Sequence, residues 1–151
     1  MIKKIVADSE EKTIILAKKI AHIAKKRDIF ALCGTLGVGK SVFSRAFIQE
    51  LTGVKDVPSP TFTLLQIYPY QDIEIYHFDL YRLEKPEEIL ELGIEDAFYN
   101  GISLIEWPQN AKEFLPQDVF WIDIEIDGSK RIFNIKTNSS EKAERLEQIN
   151  E

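Results

Sequence analysis

The stretch Gly34-Thr35-Leu36-Gly37-Val38-Gly39-Lys40-Ser41 satisfies G-x-x-x-x-G-K-[ST] at every fixed position. Residues 29–33 ahead of it (Ile-Phe-Ala-Leu-Cys) form an apolar run of strand length. Residues 42–51 after it carry Phe43, Ala46, Phe47 and Leu51 at helical spacing. Strand, glycine loop and helix in that order is the context that gives the motif meaning. It commits the chain to an α/β architecture with the loop at the carboxyl end of an inner strand. Glycines let successive backbone N–H groups curl around phosphate oxygens, and the following helix turns its positive end to the same place. The motif therefore predicts a triphosphate cradle made by Gly34, Gly37, Val38, Gly39, Lys40, Ser41 and Val42. Lys40 is expected to reach the β- and γ-phosphates, and the Ser41 hydroxyl to ligate Mg²⁺. An ordinary glycine turn with a chance Lys-Ser pair would not need such flanks.

A chain of 151 residues is about one domain. Its 44% hydrophobic and 29% charged content is that of an ordinary globular protein. No apolar run approaches the roughly 20 residues needed to span a bilayer. The N-terminus turns acidic at Asp8, too early for a signal peptide. Cys33 is the only cysteine, which excludes an intrachain disulfide and reads as a small buried hydrophobe. These features predict a cytoplasmic protein. The net charge of −6 argues against direct grip on nucleic acid, because phosphate contacts need a basic face. Lys18, Lys19, Lys25, Lys26 and Arg27 form the one dense basic cluster, and cations are favoured at the end of a helix in any case.

Along the chain, residues 2–6 read as a short edge strand. Asp8 or Ser9 then caps a helix with an apolar face of Ile15, Leu16, Lys19, Ile20 and Ile23, ending near Arg27-Asp28. Thr52-Gly53 closes the helix after the loop. Pro58 and Pro60 break the chain, and residues 61–68 and 73–78 read as two strands around the turn 69–72. A helix from Pro86 through 87–92 stops at Gly93, and 95–99 forms a further turn or two. Residues 102–105 (Ile-Ser-Leu-Ile) are a buried strand, and 110–114 a short helix. Residues 119–126 and 131–136 alternate as strands around an Asp127-Gly128 turn. Residues 1–151 thus form one α/β domain, with 141–151 a charged, helical or frayed tail.

A phosphate loop requires a second acid at the end of a neighbouring apolar strand. Asp79 and Glu106 both qualify. The strand before Asp79 mixes Glu74 and His77 with apolar residues, as an antiparallel strand with a wet face does. The strand before Glu106 is nearly all apolar, which suits an inner parallel strand, so Glu106 is the expected metal-side carboxylate, acting directly or through water. Asp79 lies in His77-Phe78-Asp79-Leu80-Tyr81-Arg82, where an acid, a phenol and a guanidinium fall within four residues. It can orient water or receive a proton, or it can pair with Arg82 merely to shape a turn. His77 alone reads as a packed sheet residue. Thr61, in Ser59-Pro60-Thr61-Phe62-Thr63, is either a switch hydroxyl that meets Mg²⁺ or the γ-phosphate, or part of a strand-starting turn.

The loop, Ser59-Pro60-Thr61-Phe62-Thr63-Leu64, His77-Phe78-Asp79-Leu80-Tyr81-Arg82-Leu83 and Leu104-Ile105-Glu106-Trp107-Pro108 occur in order, and together they resemble the bacterial TsaE (YjeE) family of small ATPases. The resemblance implies a three-layer α/β sandwich of the P-loop NTPase type, with a mixed, mainly parallel central sheet and flanking antiparallel strands. It implies ATP/ADP and Mg²⁺ as cofactors and a role in threonylcarbamoyladenosine modification of tRNAs that read codons beginning with adenine. The partner implied is a TsaB–TsaD-type complex, which itself carries the tRNA and which ATP hydrolysis regulates or resets. Carried over residue by residue, Lys40, Asp79 and Glu106 are catalytic, Ser41 and Glu106 hold the metal, and Trp107 is their neighbour. Thr13 matches a position near the nucleotide base, and Arg131 is expected to approach the nucleotide. The chain departs from the family at Thr35, where an acid is usual, and at Ser41, where Thr is frequent. Two other functions use the same parts: a small-molecule kinase, which usually needs an arginine-rich lid, and a nucleotide-sensing binding module.

Overall fold

The strand that feeds the glycine loop, β2 (Ile29–Cys33), lies at the middle of a seven-stranded sheet in this computed structural model, which describes residues 2–35 and 37–149. Leu36, a variable position of the loop motif, lies outside the described residues, as do Met1 and the last two residues of the charged tail. β2 pairs in parallel with β5 (Gly101–Glu106) on one side and with β6 (Phe120–Asp127) on the other. β4 (Ile73–Asp79) runs parallel to β5. Antiparallel strands complete both flanks: β7 (Lys130–Lys136) against β6, β1 (Ile2–Ala7) against β7, and β3 (Leu65–Tyr70) against β4. The order β1-β7-β6-β2-β5-β4-β3 is the mixed, centrally parallel sheet that the motifs predict. Every residue of β5 is buried, as an inner parallel strand between two neighbours requires.

Helices cover both faces. On one side, α1 (Glu10–Ile23) and α2 (Lys40–Thr52) share a core with Phe30, Phe43, Phe47, Phe120 and Phe133. Phe30 stacks on Phe120 with ring centroids 4.7 Å apart. α5 (Ser140–Leu146) seals this core with Leu146. On the other side, α3 (Glu88–Glu91), α4 (Ile94–Asn100) and a 3₁₀ segment (Pro108–Phe114) close a second core around Phe78, Leu80, Ile89, Ile94 and Ile105. The arrangement is a three-layer sandwich.

Several local expectations shift. α1 is capped by the Ser9 hydroxyl, which accepts from the Lys12 N–H at 3.2 Å, but it ends at Ile23 rather than near Arg27. Its buried face is Thr13, Leu16, Ala17, Ile20 and Ala21, and Ile15 is exposed. Residues 61–64 form a turn, not a strand, with Leu64 in the left-handed region and its N–H donating to the Pro60 carbonyl at 2.7 Å. Pro69 sits within β3 instead of the turn, tolerated because β3 is an edge strand where a missing N–H breaks no inner ladder. The β3–β4 turn is Gln71-Asp72, and the β6–β7 turn is Gly128-Ser129, because Tyr70 still pairs with Ile73 and Asp127 with Lys130. The helix expected over 87–92 is one turn only. The strand before Asp79 is parallel to β5 and buried over its last five residues, so the wet face inferred from Glu74 and His77 does not exist. Of the two readings of the tail, the helical one holds over Ser140–Leu146, with Arg145 and Leu146 buried.

Candidate functional site

Parallel pairing brings the ends of β4, β5 and β2 abreast, so that Asp79 stands across from Glu106, and Leu32 from Glu106 on the other side. The glycine loop springs from the end of β2 into this row. Gly34 passes so close to β6 that a Cβ there would meet Ile124 O at 2.8 Å and Val38 Cγ1 at 2.7 Å. Gly39, at φ 118°, turns the chain into α2. No side chain caps α2, which leaves its first N–H groups free for an anion. Arg131, from β7, donates through Nε to the Val38 carbonyl at 3.0 Å and so props the loop from behind.

The loop separates two cavities that share Gly37, Gly39 and Val42. One, of about 220 Å³, is lined also by Lys40, Ser41, Thr61, Asp79, Tyr81, Glu106 and Trp107. The Ser41 hydroxyl donates to Glu106 Oε1 at 3.2 Å. The Thr61 hydroxyl donates to Asp79 Oδ2 at 3.0 Å, while Asp79 Oδ1 accepts the Tyr81 N–H at 3.1 Å. The Lys40 ammonium donates to the Gly34 carbonyl and lies 3.5 Å from the centroid of the Trp107 ring. Burial pushes the Lys40 pKa down, and the charges of Glu106 and Asp79 oppose that shift. Trp107 holds its place through a left-handed backbone (φ 59°) directly after Glu106, and its indole packs on Tyr81 at 4.9 Å. Such a conformation is costly for a bulky residue and clusters at functional sites.

The second cavity, of about 150 Å³, is lined by Ser9, Glu10, Thr13, Val38, Ser129 and Arg131 together with the shared loop residues. The nucleotide, metal and catalytic residues expected from the sequence thus line one of these cavities, except Gly34, which opens the loop and borders neither. Hard oxygens from Ser41, Thr61, Asp79 and Glu106 suit Mg²⁺, which takes few protein ligands and keeps water or phosphate oxygens for the rest. The donor set fits that ion.

Other contacts carry no mark of their partner in the local sequence. His77 is buried with Nε2 at 2.6 Å from Glu106 Oε2. Its spacing two residues before Asp79 on one strand was the available signal, since alternate residues share a face. Tyr81 forms a wall of the first cavity, and the Asn110 side-chain amide braces the turn behind it by donating to the Leu80 carbonyl at 2.8 Å. Ser9, Glu10 and Ser129 line the second cavity. The alternative Asp79–Arg82 pairing is replaced by another partner, because the Arg82 guanidinium stacks 4.4 Å over Phe62. Cys33 is half-buried rather than enclosed, with its pKa pushed up to about 12 by burial and then by the neighbouring Asp123. The thiol is protonated and a poor nucleophile.

Sheet order, uncapped helix and glycine loop together define an α/β fold of the P-loop NTPase kind. The family model for "Threonylcarbamoyl adenosine biosynthesis protein TsaE" matches residues 7–133. A tRNA threonylcarbamoyladenosine biosynthesis protein TsaE of Rickettsia felis is 43% identical over 141 residues, covering 92% of this chain and 82% of that protein. The protein of the same name from Bacillus subtilis is 38% identical over 119 residues, 78% of this chain and 74% of its own. The crystal structure of Bacillus subtilis YdiB superposes with a TM-score of 0.83 at 28% identity, covering 98% of this chain and 93% of that one. The chain belongs to the TsaE family.

Proposed function

We propose that the protein is a Mg²⁺-dependent ATPase that serves threonylcarbamoyladenosine modification of tRNA, its binding and hydrolysis of ATP resetting a TsaB–TsaD-type complex. The observation that carries the reading is the convergence of Lys40, Ser41, Thr61, Asp79 and Glu106 on one cavity at the uncapped start of α2. The loop amides and Lys40 hold the triphosphate, and a γ-phosphate takes the ammonium from the Gly34 carbonyl. Ser41 and Glu106 would hold the metal, which when bound would neutralise charge on the phosphate oxygens. Asp79 orients the attacking water and takes its proton, Thr61 tying it to the loop 59–63 so that this loop responds to the γ-phosphate. Trp107 and Tyr81 wall off bulk water from that side. Thr13 and Arg131 line the nucleoside side, where adenine is the base that the family implies.

The curated relatives bear the name of the tRNA modification in full, which supports the pathway. The acidic charge suits a component that meets tRNA only through its partners, and no helix among the described residues is long and apolar enough to cross a membrane. A cytoplasmic site of action follows from the pathway. The kinase alternative loses support because Arg82, the one arginine between Gly53 and Gly101, is engaged on Phe62 rather than poised as a lid. ATP turnover is to be measured alone and with the TsaB–TsaD pair. Slow hydrolysis that the partners stimulate is expected, and equal, vigorous hydrolysis in both would count against a reset cycle.

A further inference from the structure

Burying an ionised carboxylate is costly unless its oxygens are hydrogen-bonded. The Glu106 side chain is 3% exposed, and the His77 side chain that meets it 2%. The two carboxylate oxygens have different surroundings. Oε1 accepts from Ser41, at the rim of the cavity, whereas Oε2 is 2.6 Å from the imidazole Nε2 inside the sheet. Register produces this. His77 and Asp79 leave β4 on one face and Leu104 and Glu106 leave β5 on the same face, with His77 paired to Leu104, one step deeper than the Asp79–Glu106 pair. His77 thus reaches Glu106 from beneath and does not itself line the cavity.

We infer that His77 is a positioning residue for cation binding: its Nε2 pins Glu106 Oε2 so that Oε1 stays beside Ser41 and faces the metal. Outer groups that fix a ligand's orientation are a regular part of metal sites, and here a histidine serves a carboxylate. The inference rests on the reading of Glu106 as the metal-side acid. The neighbouring Asp79 takes its own bonds from Thr61 and Tyr81 and needs no help from His77.

The test is Mn²⁺ binding in place of Mg²⁺, followed by the electron paramagnetic resonance of free Mn²⁺ in the presence of a nonhydrolysable ATP analogue. His77→Leu should weaken the Mn²⁺ midpoint about 10- to 100-fold, with analogue binding in EDTA unchanged and His77→Gln recovering most of the loss. In a Glu106→Gln background, His77→Leu should add nothing. A folded His77→Leu protein with an unaltered midpoint overturns the inference, as does an equal loss in both backgrounds. Should His77→Leu fail to fold, the Gln and Asn variants decide. Gln places its amide nitrogen near Nε2 and Asn near Nδ1, so Gln should bind Mn²⁺ more tightly and equal midpoints refute positioning. If Glu106→Gln itself leaves the midpoint unmoved, the metal-site reading fails and this inference falls with it. If that variant moves the midpoint while His77→Leu does not, only the inference fails.

Discussion

At the start of β2, Asp28 receives both terminal nitrogens of Arg145, at 2.6 and 2.8 Å, and the Lys25 N–H at 2.7 Å. The same guanidinium donates to the Ile23 carbonyl at 2.7 Å and to Glu141 at 2.6 and 3.1 Å, so each of its nitrogens is engaged. At the opposite end of the central strands, Lys40, Asp79 and Glu106 are also buried and Ser41 is half-buried, yet each still borders a cavity. One Lys stands near two acids there, and its ammonium rests on a carbonyl and a ring. The first cluster closes upon itself and ties the C-terminal helix to the base of the sheet. The second keeps lone pairs and a cation turned toward an incoming group. Both are buried and ionic, and the difference lies in how many of their hydrogen-bonding positions the protein itself fills.

That contrast can be broken by substitution. The largest effect is expected for Arg145→Ala, which leaves Asp28 buried without its counter-ion and should cost about 3–5 kcal/mol in urea unfolding. Its folded fraction should bind nucleotide as before, and weakened binding in folded molecules would mean that the two ends are coupled. Lys40→Ala should do the reverse, losing about 3 kcal/mol or more of nucleotide affinity while leaving the unfolding midpoint near that of the parent. Trp107 fluorescence is a direct readout, because the Lys40 ammonium lies over that ring. Asp79→Ala should retain ATP binding and lower turnover about 100-fold; loss of affinity in its place would remove Asp79 from the hydrolytic step. Arg131→Ala gives up the bond to the Val38 carbonyl and should weaken nucleotide binding by about 1 kcal/mol, roughly fivefold. A null result in equilibrium titration would show that the loop holds its form without the prop.

The two clusters were unequally visible in the sequence. Lys40 and Ser41 belong to a motif of consecutive residues, and Glu106 ends an apolar run that only an inner strand carries, so both could be read locally. The preference for Glu106 over Asp79 leans partly on a wet face for β4 that does not exist. The α1–α2 core covers the side carrying Ile75 and His77, the second core covers Tyr76 and Phe78 on the other, and only Glu74 near the strand's start is exposed. The Arg145–Asp28 pair joins positions 117 residues apart, and neither carries a local mark of the other. Ile15 shows the same limit in an apolar residue. Helical periodicity puts it on the core face, but the buried face of α1 runs through Thr13, Leu16, Ala17, Ile20 and Ala21 and leaves it exposed.

The amino-acid order alone determined the glycine loop, its strand and helix, the inner character of β5 and the candidate residue types for phosphate and metal. These depend on backbone freedom, helical or strand periodicity and side-chain chemistry over a few neighbours. Only the tertiary structure decided that β5 separates β4 from β2, that Thr61 meets Asp79, and that His77 lies beneath Glu106. Those outcomes follow from strand order and register, which are set by the sum of packing over the whole sheet and leave no trace in any short stretch of chain.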